Sequence, residues 1–261
     1  MGFFGFRGRK TPGEYHHRAQ DLVARGLAGQ AIETYKEAIR NYPEDTDLYN
    51  HLAAVYQQIE AYGMARDIIL EAIDLNPRDA ENYYTLGRTY TALGNAEEAE
   101  VAYHQAIALN PHLAPAYTNL ALLLALAGRR DEALALLHKS TEIDPHQSLP
   151  WYHLGCFYNQ LGQIVPAIDA YARSLELAPE DATCCLSLGG LHVDQGNREL
   201  ARELYLRAIR LSPRLVPAYY QLARLCREAG ESSRARELFE KVIQLDPRDI
   251  EARTQLQELI A

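Results

Sequence analysis

The chain lacks a long apolar run. No stretch of its 261 residues approaches eighteen consecutive apolar side chains, so no segment is expected to span a bilayer. Basic excess is missing too. The formal net charge is -9, which argues against a general nucleic-acid binder, whose surface would carry a basic footprint. Cysteine is scarce. Cys156, Cys184, Cys185 and Cys226 show no framework spacing and read as reduced thiols, most of them packed in the core, of a cytoplasmic protein. The opening MGFFGFRGRK places apolar residues before basic ones with no apolar core behind them, the wrong order for a signal peptide. Phe6 stands where a myristoylation signal wants Ser or Thr.

Catalytic signatures are also missing. There is no phosphate loop, no zincin motif and no G-x-S-x-G elbow. Cys184 and Cys185 are adjacent, so on a helix they point apart, and Cys185 and Cys226 fall at core positions. Cys156 has no evident base beside it in sequence. Carboxylates crowd the second half of each repeat as solvated faces paired with arginines, as at Arg202, Glu203, Arg236 and Glu237. No enzyme activity, metal or cofactor is expected.

What is present is a period of 34. Tyr49, Tyr83, Tyr117, Trp151, Cys185 and Tyr219 stand that far apart, as do Pro43, Pro77, Pro111, Pro145, Pro179, Pro213 and Pro247. A period of this length means stacked helix pairs in place of one globular core. The frame gives seven repeats over 12–249: 12–45, 46–79, 80–113, 114–147, 148–181, 182–215 and 216–249. In the third, apolar or small residues recur at helical spacing through Tyr83, Leu86, Gly87 and Tyr90. Gly94 breaks that run, a second continues through Ala99, Tyr103 and Ala106, and Pro111 closes it. The second repeat has Glu60 at the turn-glycine position and Gly63 three residues later, which predicts an altered turn there. Pro166 is placed at the start of a second helix. Residues 250–261 begin an eighth unit and read as a capping helix, while Arg18, at a position held elsewhere by leucine, makes the first helix a polar cap.

Small residues form two rows where helices cross closely. Ala31, Ala65, Ala99, Ala133, Ala167, Ala201 and Ala235 make the first, and Ala38, Ala72, Ala106, Ser140, Ser174, Ala208 and Val242 the second. A larger side chain in either row would overpack the crossing.

Bulky–leucine–small–tyrosine, then glycine, alanine, aromatic, alanine and proline, is the tetratricopeptide repeat motif. The third repeat matches it as Tyr83, Leu86, Gly87, Tyr90, Gly94, Ala99, Tyr103, Ala106 and Pro111. The chain therefore resembles the tetratricopeptide repeat family over residues 12–261. The resemblance implies an all-α fold, a right-handed alpha-alpha superhelix (TPR solenoid), with the first helix of each pair lining a concave groove that takes peptides or extended segments. Some family members clamp a carboxylate tail with lysine and asparagine. Here His16, Gln20 and His51 stand at the corresponding places, so heat-shock-chaperone tails are not expected ligands. Others carry an asparagine ladder, of which Asn119 alone is kept.

On the first helices the groove-facing residues are read as Tyr84, Arg88, Thr118, Asn119, Leu122, Leu126, Leu149, Tyr152, Cys156, Leu186, Tyr220 and Arg224. Leu122 and Leu126, in the run LALLLALAG, either mark an interaction site for an apolar-faced helix or hydrophobic peptide or pack on neighbouring first helices. Tyr84, Tyr152 and Tyr220 recur every 68 residues as a ladder of anchors or as ordinary companions of the core tyrosines. His16, His17 and His51 cluster near the first helices as surface or packing histidines. Arg224, Arg227, Glu228 and Gln221 form a polar patch. The arm, residues 1–11, carries Phe3, Phe4 and Phe6 and then Arg7, Arg9 and Lys10. Three fates stay open for it: docking into another subunit with self-association, peripheral membrane contact, and disorder. The expected function is a non-enzymatic protein–protein interaction scaffold or adaptor. The alternative is a regulatory or substrate-recruiting subunit of an enzyme complex.

Overall fold

A computed structural model describes residues 10–260. The arm residues Phe3, Phe4, Phe6, Arg7 and Arg9, and the expectations attached to them, lie outside the described residues. Fifteen α-helices occur among the described residues. They are α1 (Pro12–Ala24), α2 (Ala28–Asn41), α3 (Thr46–Gln58), α4 (Tyr62–Leu75), α5 (Ala80–Leu93), α6 (Ala96–Leu109), α7 (Ala114–Leu126), α8 (Arg130–Ile143), α9 (Ser148–Gln160), α10 (Ile164–Leu177), α11 (Ala182–Asp194), α12 (Arg198–Leu211), α13 (Val216–Glu228), α14 (Ser232–Leu245) and α15 (Ile250–Ile260). The odd-numbered helices up to α13 start 34 residues apart, so the sequence period is the structural period.

The chain divides into two compact units, at Ile143 and Asp144. The first stacks the pairs α1–α2 to α7–α8, and the second stacks α9–α10 to α13–α14 with α15 packed on α14. Both are all-α stacks of antiparallel pairs. Both small-residue rows are buried, Ala31 to Ala235 and Ala38 to Val242. Between them Tyr35, Ile69, Tyr103, Leu137, Tyr171, Tyr205 and Phe239 fill the seam. At three crossings the first helix carries glycine for a physical reason. A Cβ on Gly87, Gly155 or Gly189 would lie 2.6–2.7 Å from the ring of Tyr103, Tyr171 or Tyr205. The same position holds Ala53, Ala121 or Ala223 where the facing residue is Ile69, Leu137 or Phe239, and Ala19 where it is Tyr35, so a facing tyrosine does not by itself demand glycine.

The two most regular rows are joined by hydrogen bonds. The hydroxyls of Tyr49, Tyr83, Tyr117 and Tyr219 donate to the carbonyls of Pro43, Pro77, Pro111 and Pro213 at 2.9–3.3 Å, and Trp151 Nε1 donates to the Pro145 carbonyl at 3.1 Å. Cys185 cannot reach, and Arg207 donates to the Pro179 carbonyl at 2.6 Å in its place. Arg253 does the same for Pro247. The aromatic at this position thus satisfies a carbonyl at the turn that follows a helix end, where proline supplies no amide of its own.

Two sequence expectations are corrected. The second-repeat turn is not altered: Glu60 takes the left-handed conformation, φ 59°, that glycine takes at Gly26, Gly94, Gly128, Gly162, Gly196 and Gly230. Its backbone bonds, Glu60 N–H to Gln57 and Ala61 N–H to Tyr56, repeat those at Gly94 and Asn95. The packed helix ends impose the turn, and a side-chain-bearing residue accepts roughly 1 kcal/mol of strain. Gly63 lies inside α4. Pro166 stands third in α10, behind Ile164 and Val165, still within the turn that needs no amide donor.

Candidate functional site

In the first unit the first-helix face brings four of the expected residues together. Arg88 from α5 and Asn119, Leu122 and Leu126 from α7 line one crevice of about 280 Å3, with Tyr103 at its base. Asn119 Nδ2 donates to the Tyr84 hydroxyl at 3.3 Å, and the Arg88 guanidinium lies 5.8 Å from the Tyr84 ring centre. Leu122 is half-buried, whereas Leu126 is 87% exposed. A leucine so open to solvent buries little of its side chain within this unit. Thr118 is a correction: it is buried, and its hydroxyl pairs with Ser140 Oγ at 2.8 Å inside the α7–α8 seam. The same helical position holds Tyr84, Tyr152 and Tyr220, whose longer side chains reach the surface, whereas threonine is short enough to end inside the seam at Ser140.

In the second unit Leu149 is 49% exposed on α9. Tyr152 and Cys156 are half-buried and lean on the core, where the Tyr171 hydroxyl donates to Cys156 Sγ at 3.2 Å. Leu186 and Arg224 line a separate opening of about 390 Å3 between α11 and α13, together with Gly190, Gln221 and Asp194. Tyr220 lies in a third, of about 410 Å3, whose rim holds Asp246, Asp249 and Glu251. Burial, with Glu251 beside it, raises the Tyr220 hydroxyl to about 12. The three ladder tyrosines share one arrangement. Tyr84, Tyr152 and Tyr220 rest their rings on Tyr103, Tyr171 and Phe239 at 6.3, 5.6 and 5.7 Å. Each is half core and half surface.

The remaining polar candidates are engaged internally. Arg227 donates to Gln255 and to Glu258, and Glu228 accepts from Arg198 at 3.1 Å. Arg202 pairs with Glu231 and Arg236 with Glu240, so their partners are not the adjacent Glu203 and Glu237 that the sequence suggests. Cys184, Cys185 and Cys226 are fully buried, and burial raises all three thiols, Cys184 to about 12. Such thiols are poor nucleophiles. Among the described residues no three His, Cys, Asp or Glu side chains are placed to hold a metal, and no helix is long and apolar enough to cross a membrane.

The His16–His51 pair has a different consequence. The rings lie 3.8 Å apart, and the Tyr35 hydroxyl is 2.9 Å from His16 Nδ1. Burial and then the His16 ring lower the affinity of His51 for a proton, against the opposing pull of Asp47 and Asp45. With its folded value below the unfolded one, His51 contributes stability that is full above about pH 6.5 and is lost as pH falls through the folded value. Acidification from pH 7.5 to 5 is expected to expose the α1–α3 amides to hydrogen exchange, and His51→Gln to flatten that dependence. An unchanged pH slope in the variant counts against this assignment.

Sequence reasoning missed a buried polar seam in the first unit. Asn82 is fully buried; its Oδ1 accepts from Asn50 Nδ2 at 2.7 Å and its Nδ2 donates to the Ala72 carbonyl at 3.2 Å. Thr89, also buried, accepts from Gln57 Nε2 at 2.8 Å. The one available signal was polar residues at inward helical positions of α5.

Sequence profiles of the tetratricopeptide repeat match residues 17–80 and 186–250, 68–101, 90–155 and 150–181. No curated protein matches the chain. Among solved structures, the APC/C hetero-tetramer Cut9-Hcn1 is similar at TM-score 0.75 and 16% identity over 96% of this chain and 49% of that one, so the chain spans about half its length. Pseudomonas aeruginosa pilF is similar at TM-score 0.75 and 20% identity, over 82% of this chain and 97% of that one. YrrB, described as a TPR protein with an unusual peptide-binding site, gives TM-score 0.62 and 21% identity over 72% and 97%. At such identities the likeness is one of fold. Profile matches over 17–181 and 186–250, paired helices at a period of 34 and glycine or alanine at every tight crossing make the chain a member of the tetratricopeptide repeat family.

Proposed function

We propose that the protein is a non-enzymatic scaffold that holds a segment of another protein on its first-helix face, centred on Leu122 and Leu126. Tetratricopeptide repeats generally mediate protein–protein interactions and are usually not catalytic. The observation that carries the reading is Leu126, 87% exposed beside the half-buried Leu122 at the mouth of a crevice. Covering a leucine of that exposure contributes about 2 kcal/mol, which favours an apolar side chain of a partner there. Arg88 and Asn119 at the same crevice supply polar contacts that fix register. The peptide-binding site named for YrrB and the assembly named for Cut9-Hcn1 are in keeping with this reading. Core-packed thiols favour a reducing compartment such as the cytoplasm.

The test is the double variant Leu122→Glu with Leu126→Glu, which leaves the buried Leu120 and Leu124 intact. Helical content by circular dichroism is expected to stay at the wild-type level. Capture of partner proteins from the native cell lysate is expected to fall at least about tenfold. A folded variant that captures the same proteins as well as wild type would sink the reading.

A further inference from the structure

The third repeat carries a second opening, formed by a different stripe of α5 from the one that bears Tyr84 and Arg88. Tyr83, Leu86 and Tyr90 face Glu97, Glu98 and Val101 of α6 across a cleft of about 600 Å3, against about 280 Å3 for the crevice at Leu122. The equivalents of Tyr83 and Tyr90 in the flanking repeats are buried, namely Tyr49 and Tyr56 on one side and Tyr117 and Leu124 on the other. Tyr83 and Tyr90 are only half-buried. Val101 is 69% exposed where the flanking repeats carry Asp67 and Ala135. The floor of the cleft is therefore aromatic and aliphatic surface that this repeat alone in the first unit leaves uncovered.

The lining of the cleft carries acids only, and the nearest cation, Arg66 beside Tyr90, is already paired with Asp67. Glu97 and Glu98 are exposed, and neither forms an ion pair among the described residues. No lysine or arginine lines the cleft. The start of α6 accounts for two acids there, because a helix N-terminus favours them. It does not account for the uncovered apolar floor between them and α5. An acidic rim over an apolar floor, on a chain of net charge -9, is complementary to a cation flanking an apolar group.

We propose that this cleft docks a basic segment of a partner protein carrying one large apolar anchor. The anchor covers Tyr83, Tyr90 and Val101 above the buried Leu86, and lysine or arginine on either side of it meets Glu97 and Glu98. The surface is independent of the Leu122–Leu126 crevice.

The probe is a fluorescein-labelled peptide with one phenylalanine flanked on both sides by arginines, titrated against the full chain by anisotropy. Its counterpart carries glutamates in place of the arginines. The arginine peptide is expected to bind and the glutamate peptide not to. Alanine for the phenylalanine is expected to weaken binding at least about tenfold, and Val101→Gln several-fold. Reversing the rim with Glu97→Lys and Glu98→Lys is expected to reverse the preference between the two peptides. The control pair Glu203→Lys with Glu237→Lys makes the same change in net charge, and it is expected to leave binding unchanged, as is the Leu122→Glu, Leu126→Glu variant. All these positions except the half-buried Leu122 are exposed, and circular dichroism verifies the fold of each variant. Three results overturn the proposal: no preference for arginine over glutamate, an equal loss in the control pair, or a loss in the leucine variant that places the peptide on the first-helix face.

Discussion

Asn82→Asp is expected to lower the stability of the first unit by about 3 kcal/mol or more. The amide of Asn82 ties three helices together, since it accepts from Asn50 on α3 and donates to the last turn of α4 while sitting in α5. A carboxylate of nearly the same shape keeps the acceptor and loses the donor. It also sets a negative oxygen against the Ala72 carbonyl in a fully buried site. Two costs combine, desolvation of charge and repulsion between acceptors. The new carboxyl holds its proton more tightly in the folded state than in the unfolded one, so the folded state binds more protons. The deficit relative to wild type is therefore largest at neutral pH and shrinks as pH falls toward 5. Wild type moves the other way over that range through His51, so the quantity to measure is the difference between the proteins at each pH. Urea denaturation, with hydrogen exchange of the α3–α5 amides, checks it. A deficit under about 1 kcal/mol, or one that ignores pH, contradicts the role given to Asn82. Asn82→Leu removes charge from the comparison and is expected to cost about 1–3 kcal/mol through the stranded Asn50 and Ala72 groups.

The second large effect is a contrast between neighbours. Gly189→Leu is expected to destabilise the second unit by about 3 kcal/mol or more, and Gly190→Leu by less than about 0.5 kcal/mol or not at all. Both glycines lie inside α11, where leucine improves helix propensity over glycine by up to about 1 kcal/mol. A Cβ on Gly189 would meet the buried Tyr205 ring at 2.6 Å. On Gly190 the nearest atom is the Tyr205 hydroxyl at 3.9 Å, with the α11–α13 opening beyond it. The sole tryptophan, Trp151, lies in the second unit and reports its unfolding by fluorescence. Equal effects at the two positions would show that the crossing is not fixed by the ring. Gly87 against Tyr103 and Gly155 against Tyr171 are expected to behave as Gly189 does.

The sequence by itself determined the helix pairs, their period of 34, the family and the small-residue seams. Each of these follows from local rules repeated seven times: helical spacing of apolar residues, proline at helix ends, glycine or alanine at crossings. It also placed Arg88, Asn119, Leu122 and Leu126 on one face, because the step of a helix is fixed. The tertiary structure decided what two helices do to each other. It buried Thr118 against Ser140 and gave Arg202 and Arg236 their partners Glu231 and Glu240. It held Glu60 in a glycine conformation because the docked flanking helices require that turn. It leaned the ladder tyrosines on their neighbours, left Leu126 bare and opened the cleft beside Val101. Exposure and pairing depend on the distance between surfaces that are far apart in the chain, and a periodic pattern fixes which face a residue occupies without fixing how closely the next helix approaches it.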